Sequence, residues 1–395
     1  MDLQAQLFDN TVTVNTDYSS QLKPIIKWPG GKEKELPHIK RNAPKNFENY
    51  FEPFVGGGSV FTAFDAKHLF INDKSTELID LYKFIASQNT AFYEWIDAIT
   101  TAWNNVLSFV EENRHLCDFY VQFREERVDD MEMKRQIHDF AHSQFDAIEA
   151  ILPTCFVWHR AVIHDEVEKC LVHKLMRMKK IEKERAVMPG KDIFDNIETA
   201  FAGAMYTYLR MLYNDKTLAV PPELLTALFV FLRNYAYSGM FRYNDKGYFN
   251  VPYGGISYNH KTMTAKMDYY RSPKLLHHFS KTTIQNLDFE DFFTIHQPTD
   301  RDFVFLDPPY DSEFSTYAQN EFTKDDQMRL ADYLCDCCRA KWLLVIKNTP
   351  YIYSLYDRVG INIKKFDKKY VVSFMNRNDK DAEHLIITNY RHDYD

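Results

Sequence analysis

A wholly apolar run, Phe303-Val304-Phe305-Leu306, that ends in Asp307-Pro308-Pro309-Tyr310 constrains this chain more than any other feature. The run predicts a strand, and each proline fixes φ, removes a backbone N–H and holds the preceding residue in extended geometry. The carbonyls of Asp307 and Pro308 therefore stay out of any helix and face outward as acceptors, next to one carboxylate and one phenol ring. Such a set suits an aromatic base that carries an exocyclic amine. The carboxylate and a carbonyl hold the NH2 group while the ring stacks on the base.

The surrounding pattern predicts the layers. From about residue 24 to 87 short strands alternate with helices, and the same style returns over 282–390. After the proline turn, a helix over 324–339 capped by Thr323 leads to the strands Trp342-Leu343-Leu344-Val345-Ile346, Tyr370-Val371-Val372-Ser373-Phe374 and His384-Leu385-Ile386-Ile387-Thr388. Strand, site-bearing turn and returning helix are the crevice layout of a doubly wound sheet. The middle of the chain differs. Residues 88–215 are almost wholly helical in pattern, Pro221-Pro222 break them, a further helix runs over 223–235, and aromatic strands over 240–251 flank Asn244-Asp245-Lys246-Gly247 as a β-hairpin. The simplest architecture is one α/β domain, 24–87 with 282–395, that receives a mainly helical domain at 88–281, behind a polar, mobile N-terminal tail over 1–23.

Charge and composition narrow the function classes. No apolar run approaches the ~18 residues of a membrane span, and the first residues lack a secretory pattern, which places the chain in a cytoplasm. The cysteines, Cys117, Cys155, Cys170, Cys335, Cys337 and Cys338, are read as reduced thiols, because the last three crowd one helical stretch where they cannot pair. No metal site is expected: Cys335-x-Cys337-Cys338 lacks a second ligand pair, and His138 and His142 have zinc-like spacing without the glutamate base. The net charge of -8 argues weakly against nucleic acid, yet two local basic runs, 169–185 and 364–380, supply what phosphate contacts need. Solvated helix and loop faces are the competing reading of both.

A second site lies near the N-terminus. Phe51-Glu52-Pro53-Phe54-Val55-Gly56-Gly57-Gly58-Ser59-Val60-Phe61 is a strand end, a glycine turn and an apolar helix start. Such a turn lets a ligand approach the backbone, although a plain tight βα turn reads the same way. The strand Leu69-Phe70-Ile71-Asn72-Asp73 then ends in an acid close to the ~20-residue spacing at which a carboxylate binds ribose hydroxyls. Phosphate cofactors fit poorly, because Pro29-Gly30-Gly31-Lys32 is followed by Glu33 where a phosphate loop has Ser or Thr. S-adenosylmethionine, with a ribose and no phosphate, fits a glycine turn plus an acid.

These residues resemble the Dam-type, alpha-group DNA adenine-N6 methyltransferases. The resemblance rests on Lys27-Trp28-Pro29-Gly30-Gly31-Lys32, on the glycine turn, on Asn72-Asp73, on Tyr237-Ser238-Gly239-Met240-Phe241-Arg242-Tyr243-Asn244, on Phe249-Asn250-Val251-Pro252-Tyr253-Gly254, and on Asp307-Pro308-Pro309-Tyr310, in the family's order. It implies a Rossmann-like S-adenosylmethionine-dependent methyltransferase sheet with an inserted, mainly helical target-recognition domain. It also implies transfer of methyl to N6 of a flipped adenine in double-stranded DNA, with GATC as the expected target.

Carried over residue by residue, the resemblance implies catalysis by Asp307, Pro308, Pro309 and Tyr310. It implies cofactor contacts from Trp28, Lys32, Phe54, Gly56, Gly58, Asp73, Asp288, Phe289 and Asp307, and DNA contacts from Lys27, Tyr237, Ser238, Met240, Arg242, Asn244 and Pro252. Ser238 departs from the family's usual Asn. A helical insert over about 127–222 has no counterpart in compact members, and it offers a wider DNA footprint, self-association or a protein partner. A modification enzyme with another adenine-containing site, or a non-catalytic DNA-binding relative, are the alternative readings. The implied setting is the cytoplasm of a bacterial or phage-infected cell.

Overall fold

The protein is described from a computed structural model, which covers residues 22–310, 322–369 and 381–391. The expected tail and the expected strand over 370–374 lie outside these residues. The chain forms two compact units, Met1–Ser87 with Tyr269–Asp395, and Gln88–Asp268. The first returns earlier than residue 282, because helix Pro273–Ser280 buries Leu275, His278 and Phe279, with the His278 and Phe279 rings tilted against Phe61.

The first unit is built on a seven-stranded sheet of β1 (Asn49–Glu52), β2 (His68–Asn72), β3 (Thr282–Gln285), β4 (Phe303–Leu306), β5 (Lys341–Lys347), β6 (Asn362–Lys369) and β7 (Asp381–Thr388). Their order is β3-β2-β1-β4-β5-β7-β6. The first five run parallel, and β7 is antiparallel to both neighbours. All four residues of β4 are buried, which explains its unbroken apolar run: a parallel strand with both faces covered has no polar side to alternate with. Trp342, Leu344, Ile346, Leu330 and Ala331 complete that core.

β1 and β4 are neighbours, with Phe51 opposite Val304. From β1 the chain winds outward to β2 and β3, and from β4 to β5 in the other direction, so the strand order reverses between them. Ligands of open α/β sheets bind at such a reversal, outside the carboxyl ends of the strands. The glycine turn leaves β1 there, and the proline turn leaves β4 beside it.

Helix Lys324–Asp332 follows with the expected Thr323 cap, whose hydroxyl accepts from Asp326 N at 3.2 Å while the Asp326 carboxylate accepts from Thr323 N at 2.7 Å. The helix ends sooner than expected, in a wide turn over Tyr333–Cys337. Strand β6 has no counterpart in the sequence reading, because its basic residues read as loop. Lysines suit it physically, since β6 is an edge strand that charge protects from further pairing.

The second unit is helical, with long helices over Thr90–Glu112, Val162–Glu184 and Gly190–Asn214. Asn89 caps the first by accepting from Phe92 N at 2.8 Å. Pro221 and Pro222 start helix Pro222–Tyr235, where a missing N–H costs nothing. The expected hairpin forms only at its tip: the chain turns back through the isolated antiparallel bridge Tyr243↔Phe249, with Asn250 N donating to Arg242 O at 3.1 Å and Asn244 N to Tyr248 O at 2.9 Å, and no longer strands flank it. Asn214 holds the outer edge of the returning segment, donating to Phe249 O at 2.9 Å and accepting from Phe249 N at 2.8 Å.

Candidate active site

The glycine turn is fixed from both sides. Asp73, at the end of β2, accepts from Gly56 N at 3.0 Å and from Ser75 N at 2.9 Å. Asn72 donates to the carbonyls of Pro53 and Leu287, each at 3.0 Å, and so ties the turn to the segment that precedes Asp288. Gly58 adopts φ +78°, a conformation that favours glycine. Gly57 is the closest approach: a Cβ there would stand 2.9 Å from Trp28 Cβ and nearer still to the Ile26 carbonyl oxygen. Gly57 was not singled out from its two neighbours by sequence, because a close approach to residues 26–28 leaves no local pattern.

Lys32 connects the two turns. It is only 1% exposed, its backbone N donates to Ser59 Oγ at 3.0 Å, and its ammonium donates to Gly30 O at 2.8 Å. The same ammonium forms an ion pair with Asp307 and lies 3.2 Å from the Tyr310 hydroxyl. Asp307, Tyr310 and Lys32 are thus brought together across the sheet reversal. In the proline turn itself Pro309 O accepts from Gln327 Nε2 at 2.8 Å, whereas Pro308 O takes no hydrogen bond among the described residues.

Phe54 meets Phe289 at a ring separation of 5.9 Å, and Phe289 is buried. Asp288 caps helix Phe289–His296 and lies 3.7 Å from both Lys74 and Arg329. Trp28 is half-buried and Lys27 exposed in the same unit.

Beneath these groups lies an acid the sequence reading did not assign. Glu52 is 2% exposed and accepts from the Tyr50 hydroxyl at 2.6 Å. Burial, helped by the charges of Asp307 and Asp73, pushes its carboxyl well above the usual range, and burial likewise raises Asp73. A raised carboxyl binds its proton more tightly folded than unfolded, so Glu52 opposes folding increasingly as pH rises from its unfolded pKa to its folded one. Glu52→Gln removes that dependence. The difference in Tm, variant minus wild type, is expected to grow from pH 5 to pH 8 in thermal unfolding scans. A pH-independent difference would contradict a neutral Glu52.

In the helical unit, Arg242 is exposed and its Nε donates to Asn250 Oδ1 at 3.0 Å. Tyr237 is 43% exposed, and Pro252 O accepts from Tyr237 N at 2.9 Å. Ser238 adopts φ +54°, the left-handed conformation, beside a half-buried Met240. Asn244 is a turn former: its Oδ1 accepts from Lys246 N and Tyr248 N, each at 3.0 Å. The basic run falls on helix Val162–Glu184, where Lys169, Arg177, Lys180 and Lys183 are exposed. His138 pairs with Glu168 at 3.1 Å, and no group of three metal-ligating side chains occurs among the described residues. None of the described helices is long and apolar enough to cross a membrane.

Residues 28–372 match the family model described as "D12 class N6 adenine-specific DNA methyltransferase". The type II methyltransferase M.MjaIII of Methanocaldococcus jannaschii is 25% identical, over 94% of this chain and 100% of its own length. The type II methyltransferase M.CviBI of Paramecium bursaria Chlorella virus NC1A is 26% identical, over 93% and 100%. The DNA adenine methylase of Escherichia coli K12 is 25% identical, over 87% of each.

Proposed function

The chain belongs to the D12 class N6 adenine-specific DNA methyltransferases, and from that premise we propose that it methylates N6 of an adenine extruded from duplex DNA, within GATC, at Asp307-Pro308-Pro309-Tyr310. The observation that carries this reading is the placement of the two turns. They leave adjacent strands at the sheet reversal, and one buried lysine reaches both, its backbone N donating to Ser59 Oγ behind the glycines and its ammonium pairing with Asp307.

The family is S-adenosylmethionine-dependent, and the residues present fit that cofactor. The glycine turn leaves no room for side chains, and each Asp73 oxygen that accepts a backbone N–H keeps a further lone pair for a ribose hydroxyl. Trp28, Lys32 and Phe54 would hold the cofactor, Asp73 would hold its ribose, and Asp288 with Phe289 would lie near its adenine. When bound, S-adenosylmethionine supplies an electrophilic methyl on a sulfonium sulfur.

The target amine is a poor nucleophile because its lone pair is delocalised into the ring. Asp307 and Pro308 O accept its two N–H bonds and so localise the pair on nitrogen. The proton leaves readily once nitrogen has gained a fourth bond, through Asp307 to water, so a strong base is not needed. Lys32 balances the charge of Asp307 throughout. Tyr310 stacks on the base, which must leave the helix because a paired amine cannot reach a buried methyl donor.

Specificity falls to the helical unit. Arg242, held through Nε, presents its fork to O6 and N7 of guanine, a contact worth about 1–3 kcal/mol. Tyr237 and Met240 insert near the extruded adenine, Ser238 adds a polar contact, Asn244 shapes the loop and Pro252 touches a thymine methyl, while Lys27 of the first unit adds a further base contact. On a GATC duplex against one lacking the guanine, the wild type is expected to prefer the former by roughly 5- to 150-fold in kcat/KM. Arg242→Ala should abolish that preference. A variant that still discriminates would remove Arg242 as the reader. A second reading, a modification enzyme with another adenine-containing site, is favoured by the relatives named type II methyltransferases. Preferred methylation of a non-GATC duplex by the wild type would select it.

A further inference from the structure

The turn Asp307-Pro308-Pro309-Tyr310 has an unusual mechanical weakness. Two consecutive residues lack a backbone N–H, so the chain cannot tie itself down there through its own amides. A carbonyl aimed at a substrate amine must nevertheless hold its direction closely, because a displacement of about 1 Å costs on the order of 10²-fold in rate. Some other group has to anchor the turn.

We propose that Gln327 is the positioning residue for this turn, its side-chain amide gripping the Pro309 carbonyl so that Pro308 O is left aimed at the substrate amine. Gln327 is fully buried, and its Nε2 donates to Pro309 O at 2.8 Å. The helix that carries it is itself immobilised. Thr323 and Asp326 close a capping box at its start. Arg329 reaches Asp326 at 2.7 Å and also pairs with Glu290. Leu330 and Ala331 pack into the sheet core. The anchor thus connects the turn to a capped helix that packs into the sheet core.

A second observation separates positioning from packing. Gln327 Oε1 is buried and takes no hydrogen bond among the described residues. A buried acceptor without a partner opposes folding, so a leucine of similar volume would serve packing better. The amide is explained by what its other end does. Pro309 is exposed, so water can satisfy its carbonyl if Gln327 is removed, and the turn then loses direction rather than its hydrogen bonding.

The inference rests on the proposed role of Asp307-Pro308-Pro309-Tyr310, and the test keeps the two apart. Single-turnover methyl transfer, S-adenosylmethionine affinity, DNA affinity and Tm are measured for the wild type, Gln327→Leu, Gln327→Glu and Asp307→Asn. Gln327→Leu should lose 10- to 100-fold in rate, with both affinities within threefold and Tm not lowered. Gln327→Glu carries the decisive signature. Its neutral carboxyl can donate to Pro309 O and its carboxylate cannot, so its rate relative to wild type should recover as pH falls through the carboxyl's pKa, which burial raises. A merely structural role predicts a pH-independent deficit that follows Tm. Wild-type rates in both Gln327 variants, or a deficit confined to binding, overturn the inference. If Asp307→Asn is also fully active, the reading of the turn falls with it; if Asp307→Asn is inactive, only the role of Gln327 falls. Should Gln327→Leu fail to fold, the pH profile of Gln327→Glu decides alone.

Discussion

Replacing Asp307 with alanine is expected to reduce single-turnover methyl transfer by roughly 10³-fold or more, the order seen when a preorganised electrostatic partner of a reacting group is deleted. Asp307 is the last acceptor of a buried strand, at the sheet reversal, and the carboxylate stays 20% exposed where a substrate can reach it. Its removal has a second consequence, because Lys32 is 1% exposed and loses its ion-pair partner. Breaking a fully buried pair costs about 3–5 kcal/mol, and the partial exposure of Asp307 lowers that figure here. Alanine therefore combines a chemical loss with a structural one. Asp307→Asn separates them: its amide oxygen still accepts from Lys32, so Tm should stay within a few degrees of wild type, while the rate falls by about 10²- to 10³-fold. Rates within threefold of wild type for both variants would remove Asp307 from the chemistry.

Gly57→Ala should produce the second large effect, on cofactor affinity and on stability together. A methyl group at Gly57 would stand 2.9 Å from Trp28 Cβ and meet the backbone carbonyl of Ile26, and backbone cannot rotate aside as a long side chain can. Overpacking of this kind costs about 1–3 kcal/mol. Its relief pushes residues 26–28 away from the glycine turn, and Trp28 with them. S-adenosylmethionine affinity by calorimetry should fall by at least about tenfold, because a preorganised contact surface is lost. Gly30→Ala is the control. Its φ of +78° makes alanine strained there, but no atom lies within 4 Å of the added methyl, so stability should fall by only about 1 kcal/mol and affinity should hold. Unchanged affinity in Gly57→Ala would mean that the turn is a fold element and not a cofactor seat.

Several of these features were legible in the sequence for physical reasons. An apolar run stopped by two prolines has few conformations open to it, and β4 with its turn follows that reading. Thr323 was legible as a cap because capping depends on residues three apart, within the reach of local pattern. Lys32 shows where local pattern ends. It was assigned along the cofactor, yet its partner Asp307 lies 275 residues away, and nothing near either residue announces the pair. Asp73 was read as a ribose ligand, and its bonds to Gly56 N and Ser75 N add the role of holding the turn. Glu52 was passed over because a buried acid inside a strand looks like an ordinary polar position until its neighbours are known. The hairpin was legible only at its tip. Asn244 and Gly247 announce the turn, and the bridge Tyr243↔Phe249 forms beside it, but how far the flanking strands run is not set by local pattern.

The most direct measurement is a position-resolved map of N6-methyladenine on unmethylated plasmid DNA incubated with the wild-type protein and S-adenosylmethionine. Marks are expected on the adenine of GATC, and none when S-adenosylmethionine is omitted. Marks on adenines in another context would contradict the specificity, and no mark on any adenine would contradict the site.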